Sequence, residues 1–203
     1  MKYLFTIIIM LNISYVYSNN VKFIYKNNEG QEKIFCNGIF ISKNIISAPA
    51  HCVKKAQSLK KTRNFSSYLR DENNNKIKVK RILIHKDYNC FSSFIYSGND
   101  ASIIITKDQY DYNDQICNNE CIDQVEICIN EDLHTRKIHK ITDTEIFIHQ
   151  KKEYEITNGD SGNGVYNDNG LVGLVSRNTV DKEFCIITRI KEFFSIEGQY
   201  DEK

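Results

Sequence analysis

Apolar residues recur along this chain in short runs separated by polar turns, at 21–25, 33–36, 38–41, 44–46, 77–84, 102–106, 124–129, 145–149, 170–176 and 183–189. β-Branched and aromatic side chains dominate the runs, and Asn, Asp and Gly punctuate them, which is how the strands of a sandwich or barrel read. Helical spacing shows only at 52–60 and near the C-terminal end, where Ile190, Phe193 and Phe194 recur at helical intervals. The polar, charged stretch 60–76 reads as an exposed loop. The pattern predicts an all-β protein, and two barrels of roughly ninety residues each would fit the length without a visible linker.

The first 18 residues stand apart. Lys2 precedes a mainly apolar run from Leu4 to Leu11, and Val16-Tyr17-Ser18 offers residues that signal peptidase accepts, so 1–18 reads as a secretory signal peptide. The run is too short to span a membrane, and no later segment is apolar enough to do so. With 27 basic against 26 acidic residues, charge points to no nucleic-acid or acidic-surface partner, and no cofactor or metal is expected. Secretion makes the seven cysteines (Cys36, Cys52, Cys90, Cys117, Cys121, Cys128 and Cys185) disulfide candidates, and the odd number leaves at least one free, reactive or intermolecular. A zinc set of Cys117, Cys121 and Cys128 would need His134 to complete it. Asn64-Phe65-Ser66 is a glycosylation acceptor sequence.

Chemistry concentrates at Asn158-Gly159-Asp160-Ser161-Gly162-Asn163-Gly164. Three glycines around an acid and a hydroxyl describe a tightly folded backbone that presents Ser161, with the N–H groups of Gly159 and Ser161 able to converge on one oxygen. Alone, the stretch is equally an ordinary β-turn. Upstream, two strand-like runs from Cys36 to Ile46 lead to His51, flanked by Ala50 and Cys52; on such a hairpin Cys36 and Cys52 could be bridged, pinning His51. Asp100 stands directly before the apolar run 102–106, where a carboxylate can be partly buried and accept a bond from an imidazole, or simply cap a strand. Acyl transfer needs a base within reach of a hydroxyl and an acid that orients the base, and His51, Asp100 and Ser161 supply that set.

In these segments the chain resembles the trypsin-like, chymotrypsin-fold serine endopeptidases. Cys36-Asn37-Gly38-Ile39-Phe40-Ile41 is similar to the family's Cys-Gly-Gly-x-Leu-Ile, Ala48-Pro49-Ala50-His51-Cys52 to Thr-Ala-Ala-His-Cys, and His85-Lys86-Asp87-Tyr88 to His-Pro-x-Tyr. Asn99-Asp100-Ala101-Ser102-Ile103 is similar to Asn-Asp-Ile-Ala-Leu, the Gly159 to Gly164 stretch to Gly-Asp-Ser-Gly-Gly-Pro, and Gly173-Leu174-Val175-Ser176-Arg177-Asn178 to Gly-Ile-Val-Ser-Trp-Gly. The order His, Asp, Ser also differs from that of the α/β-hydrolases. The resemblance implies two six-stranded antiparallel β-barrels packed together with a short C-terminal helix, the peptidase domain covering 19–203, the first barrel 19–112 and the second 113–194. It implies a secreted, monomeric serine-type endopeptidase whose partners are protein or peptide substrates and protease inhibitors. His51 would be general base and then acid, Asp100 its orienting carboxylate, Ser161 the nucleophile, and the N–H groups of Gly159 and Ser161 the oxyanion hole. Glu155 falls at the base of the specificity pocket, where a carboxylate favours Lys or Arg substrates, and Ser176, Arg177 and Asn178 form the pocket wall. Cys36–Cys52 is the bridge the resemblance implies.

The chain also departs from the family. It has no Ile-Val-Gly-Gly segment whose freed amine would pair with Asp160, and the stretch before Cys36 is short. Arg177 replaces a tryptophan, Asn178 a glycine and Thr157 a cysteine, and only 60 residues separate Asp100 from Ser161. These differences raise the alternative of a catalytically inactive secreted homologue that binds a partner; an adhesive β-protein is a third reading.

Overall fold

The computed structural model describes residues 19–61, 65–88, 99–110, 116–117, 124–129, 132–157 and 159–197. The expected signal peptide, Asn64 of the glycosylation sequence, Cys90 and Cys121 lie outside the described residues. Among the described residues no helix is long and apolar enough to cross a membrane.

Among the described residues thirteen strands form two antiparallel sheets. The first runs β5-β4-β1-β2-β3-β7-β6 and is built from β1 (Asn20–Asn27), β2 (Glu32–Ser42), β3 (Ile45–Ala48), β4 (Phe65–Arg70), β5 (Lys76–Ile77), β6 (Val79–Ile84) and β7 (Ser102–Thr106). The second is a closed barrel, β10-β13-β12-β11-β8-β9, of β8 (Gln124–Ile129), β9 (Asp132–Ile141), β10 (Glu145–His149), β11 (Gly164–Asn167), β12 (Gly170–Asn178) and β13 (Phe184–Arg189). The fold is therefore all-β and chymotrypsin-like, as expected, with a closed six-stranded barrel, a second sheet curled into a half-barrel and a short C-terminal helix. The two ends of the curled sheet, β5 and β6, are separated in sequence by Lys78 alone, β5 pairing with β4 and β6 with β7, so the segment 76–84 links both ends of the sheet.

The expected loop 60–76 is partly strand. β4 pairs with β1 along its whole length because Ser67 and Leu69, two residues apart, turn inward while their neighbours stay outside. Helix α1 (Ala50–Lys61) begins right after Pro49, whose carbonyl accepts from Cys52 and Val53 N–H, and ends in Lys60 and Lys61, which suit the negative end of a helix dipole. Its Val53, with Ala56 and Leu59, packs into the core of the first sheet beside Phe23, Phe40, Ile46 and Ile104.

Strands β2 and β7 are apolar on both faces because each separates two cores. Phe40 and Ile104 face the first core, whereas Ile39, Ile41 and Ile103 face a second cluster with Leu171 and Leu174 of β12. Helix α2 (Ile190–Glu197) closes this junction with Ile190, Phe193 and Ile196, while Phe194, grouped with them on sequence, is exposed. The junction fixes the first sheet against the barrel, and the candidate site lies across it.

Candidate active site

Side chains from both sheets build the site. His51 is the second residue of α1, and Asp100 immediately precedes Ala101 and β7. Ser102 opposes Ala48 across the β3–β7 ladder and its hydroxyl donates to the Ala48 carbonyl at 2.7 Å, so the end of β3 and the start of β7 are held together. That register delivers Asp100 to His51. One carboxylate oxygen of Asp100 accepts the His51 backbone N–H (2.9 Å) and the other lies 2.7 Å from Nδ1. Asp100 is 3% exposed. Burial alone would raise its carboxyl, yet the His51 charge and bonds, with the Ser176 hydroxyl, outweigh it and hold the carboxyl below its ordinary value.

With Nδ1–H given to Asp100, Nε2 of a neutral imidazole carries the lone pair. The ring rests on a disulfide between Cys36 and Cys52, with Nε2 3.3 Å from the Cys52 sulfur and 3.9 Å from that of Cys36. The bridge closes a loop of 16 residues between β2 and α1 and stabilises by about 3 kcal/mol in the chain-entropy account. Among the described residues these three are the group of His, Cys and carboxylate ligands that approach within 4.8 Å, but the two sulfurs are bonded to each other and offer no thiolate pair. Cys121 of the zinc alternative lies outside the described residues.

Ser161 is carried by a loop of the barrel. Its hydroxyl donates to the Ser176 carbonyl at 3.2 Å rather than to His51, and Ser176 in turn donates its own hydroxyl to Asp100 at 2.5 Å. Thus His51 and Asp100 meet directly, and Ser161 joins them through Ser176, which sequence placed only in the pocket wall. The N–H groups of Gly159 and Ser161 have no acceptor among the described residues. Gly159 adopts φ +118°, a region that favours glycine.

Two polar networks were not foreseen. Arg177 turns back from the cleft: Nη2 is 2.7 Å from buried Glu145 and Nη1 donates to the Ser176 hydroxyl at 3.3 Å. Gln150 and Asn178 bridge the wall of the expected specificity pocket to its base, since Asn178 Nδ2 donates to the Ile156 carbonyl (2.8 Å) and Gln150 Nε2 donates to Asn178 Oδ1 (2.7 Å). Glu155, beside Ile156, is 43% exposed in its side chain and lies 3.6 Å from Lys182 Nζ. It lines a shallow cavity of about 290 Å³ with Gln150, Lys152 and Lys182. The signal for both networks was the pair of replaced residues, Arg177 and Asn178; nothing in the sequence names Glu145 or Gln150 as their partners.

A curled sheet and a closed barrel, with a buried Asp–His pair on one and a glycine-framed serine on the other, define the architecture of a chymotrypsin-like protein. The Trypsin family model matches residues 14–121, a span that includes His51 and Asp100 and stops short of Ser161. The chain belongs to the trypsin family. Solved structures agree on the fold: neuropsin, a serine protease expressed in the limbic system of mouse brain, superposes with TM-score 0.65 at 17% identity over 91% of this chain and 95% of its own. Kallikrein-related peptidase 10 gives 0.63 at 14% identity over 89% and 93%, and the protein GrC gives 0.63 at 16% over 90% and 93%. A search of curated proteins returns no match.

Proposed function

We propose that the chain is a serine endopeptidase. The observation that carries this reading is the bidentate hold of buried Asp100 on His51, which fixes the tautomer with Nε2 as base, in a site shared with Ser161. For attack the Ser161 hydroxyl must leave the Ser176 carbonyl and present its proton to Nε2. His51 then takes the proton as Oγ bonds to the scissile carbonyl carbon, and the carbonyl oxygen, now negative, is received by the N–H groups of Gly159 and Ser161. Collapse breaks the C–N bond, and the leaving amine takes the proton from His51. A water molecule, deprotonated by the same imidazole, hydrolyses the acyl-enzyme and restores Ser161.

A preference for basic residues would require Glu155 to exchange Lys182 for a substrate cation. Asn178 and Gln150, which span the cleft beside it, support a small uncharged residue before the scissile bond instead. The disulfide supports an oxidising, extracellular setting, with peptides or proteins as substrates and protease inhibitors as partners. Labelling with a fluorophosphonate probe tests the activity: wild-type protein takes one label and Ser161→Ala none. Folded wild-type protein that binds a partner but stays unlabelled would establish the non-catalytic homologue.

A further inference from the structure

The loop carrying Ser161 is closed by two sets of bonds. Within the loop, the Asp160 carboxylate accepts the Thr157 N–H (2.7 Å) and hydroxyl (3.2 Å), Asp160 N–H donates to the Thr157 carbonyl (3.2 Å), and Asn163 N–H donates to the Asp160 carbonyl (3.0 Å). From the neighbouring sheet, Asn37 of β2 donates its backbone N–H to the Ser161 carbonyl (2.7 Å) and its side-chain Nδ2 to the Gly159 carbonyl (2.8 Å). The second bond joins residues 122 positions apart. Gly162 packs so closely here that a Cβ would stand 1.8 Å from the Asn37 carbonyl oxygen.

These bonds decide which way the loop's peptide planes face. A planar peptide directs its C=O and N–H to opposite sides. Asn37 engages the carbonyls of Gly159 and Ser161, while the N–H groups in those same planes, of Asp160 and Gly162, donate to Thr157 and Val175 carbonyls. The Gly159–Asp160 and Ser161–Gly162 planes are thereby fixed, the plane between them is held by the Asn163 N–H on the Asp160 carbonyl, and among the described residues the N–H groups of Ser161 and Gly159 are left for a ligand oxygen. The charge of Asp160 is met inside the loop, so a terminal amine has no vacancy to fill there.

We propose that the Asn37 side chain is a positioning residue for the oxyanion loop, holding the Gly159 carbonyl from the first sheet so that the site is assembled without a newly exposed amino terminus. The inference rests on Ser161 being the nucleophile. Asn37→Gly keeps the backbone bond to Ser161 and removes the side chain with its bond to the Gly159 carbonyl.

The test uses full-length mature protein with active sites counted by fluorophosphonate titration. Loss of one aligned oxyanion donor lowers turnover by roughly a hundredfold or more, and a donor that is loosened rather than lost is expected to cost about tenfold or more in kcat per titrated site. Asn37→Gly is therefore expected to lower kcat with KM nearly unchanged. A merely structural role would reduce the number of titratable sites or the Tm and leave kcat per site alone. Asn37→Asp, of the same size but with an acceptor turned on the Gly159 carbonyl, is expected to lose at least as much and carries the test if the glycine variant fails to fold. A chain with a short extension ahead of Asn19 is expected to turn over at the wild-type rate. Unchanged kcat per site in either Asn37 variant, or silencing by the extension, overturns the inference while labelled wild type leaves the nucleophile intact. Wild-type protein that takes no label overturns both.

Discussion

Arg177 pairs with buried Glu145 and meets Asp100 only through the Ser176 hydroxyl, and its removal gives a prediction whose size follows from exposure. The Glu145 side chain is 5% exposed with Arg177 Nη2 2.7 Å away, while the Arg177 side chain is 31% exposed. Breaking a buried pair from one side costs about 3–5 kcal/mol because the remaining charge is stranded. Arg177→Met strands the buried member, but part of the guanidinium already faces water, so the expected loss is at the low end, about 3 kcal/mol. Glu145→Gln strands the member that water can reach, and should cost only about 1–1.5 kcal/mol. The double variant leaves no charge to strand and should lose about 1–2 kcal/mol, which makes the coupling between the two sites about 2–3.5 kcal/mol.

Urea denaturation of the four proteins measures this cycle, and for a chain of this size about 3 kcal/mol should lower Tm by roughly 6–12 °C. Turnover responds less, because the Ser176 hydroxyl still reaches Asp100 directly. If the single losses simply add, within about 0.5 kcal/mol, the pair is not acting as a unit and the reasoning fails.

Three further outcomes are expected. His85 is buried, which holds its imidazole below the ordinary value despite the nearby Asp87, so the unfolded chain takes up a proton that the folded one refuses as pH falls through about 6.5. Stability should therefore decline on acidification from that point, and urea midpoints of His85→Gln should show a flatter slope; an equal slope removes His85 from the acid limb. Cys185 is fully buried, and burial with the Asp160 charge pushes its thiol up, so iodoacetamide should modify it in denatured protein and leave it intact in the native state. Asn178→Gly removes the bridge to Ile156, and a peptide library should then show larger residues accepted before the scissile bond, whereas an unchanged profile would remove Asn178 from specificity.

The legible parts of this fold were those whose cause is local. β7 reads as a strand because Ile103, Ile104 and Ile105 fill cores on both of its faces, and α1 announces itself by Pro49 and a lysine-rich end. β4 and β9 were missed for the opposite reason. Phe65 of β4 is exposed and only Ser67 and Leu69 turn inward, while β9 reads Asp-Leu-His-Thr-Arg-Lys-Ile-His-Lys-Ile and buries Arg136 in its middle. At the site, His51 and Asp100 stand in short motifs and were identified from them, whereas the bond of Asn37 to Gly159 and that of Arg177 to Glu145 join residues 122 and 32 positions apart.

Strand β2 shows why those distant contacts are nevertheless determined by sequence. Side chains along a strand alternate between faces, so Cys36 and Phe40 point to the first core while Asn37, Ile39 and Ile41 share the face toward the barrel. One face carries the disulfide that supports His51, and the other carries both the apolar junction and the tie to the Ser161 loop. The bulge opposite Phe23 and Ile24 takes up Phe35 as an extra residue, which sets the parity of everything after it. A slip of one residue past that bulge would turn Asn37 inward and Cys36 toward the barrel, removing both supports at once. The geometry of the site is in this sense a statement about the register of one strand, held by the pairing of Phe23 with Cys36 and of Ile39 with Ser47 on its two sides.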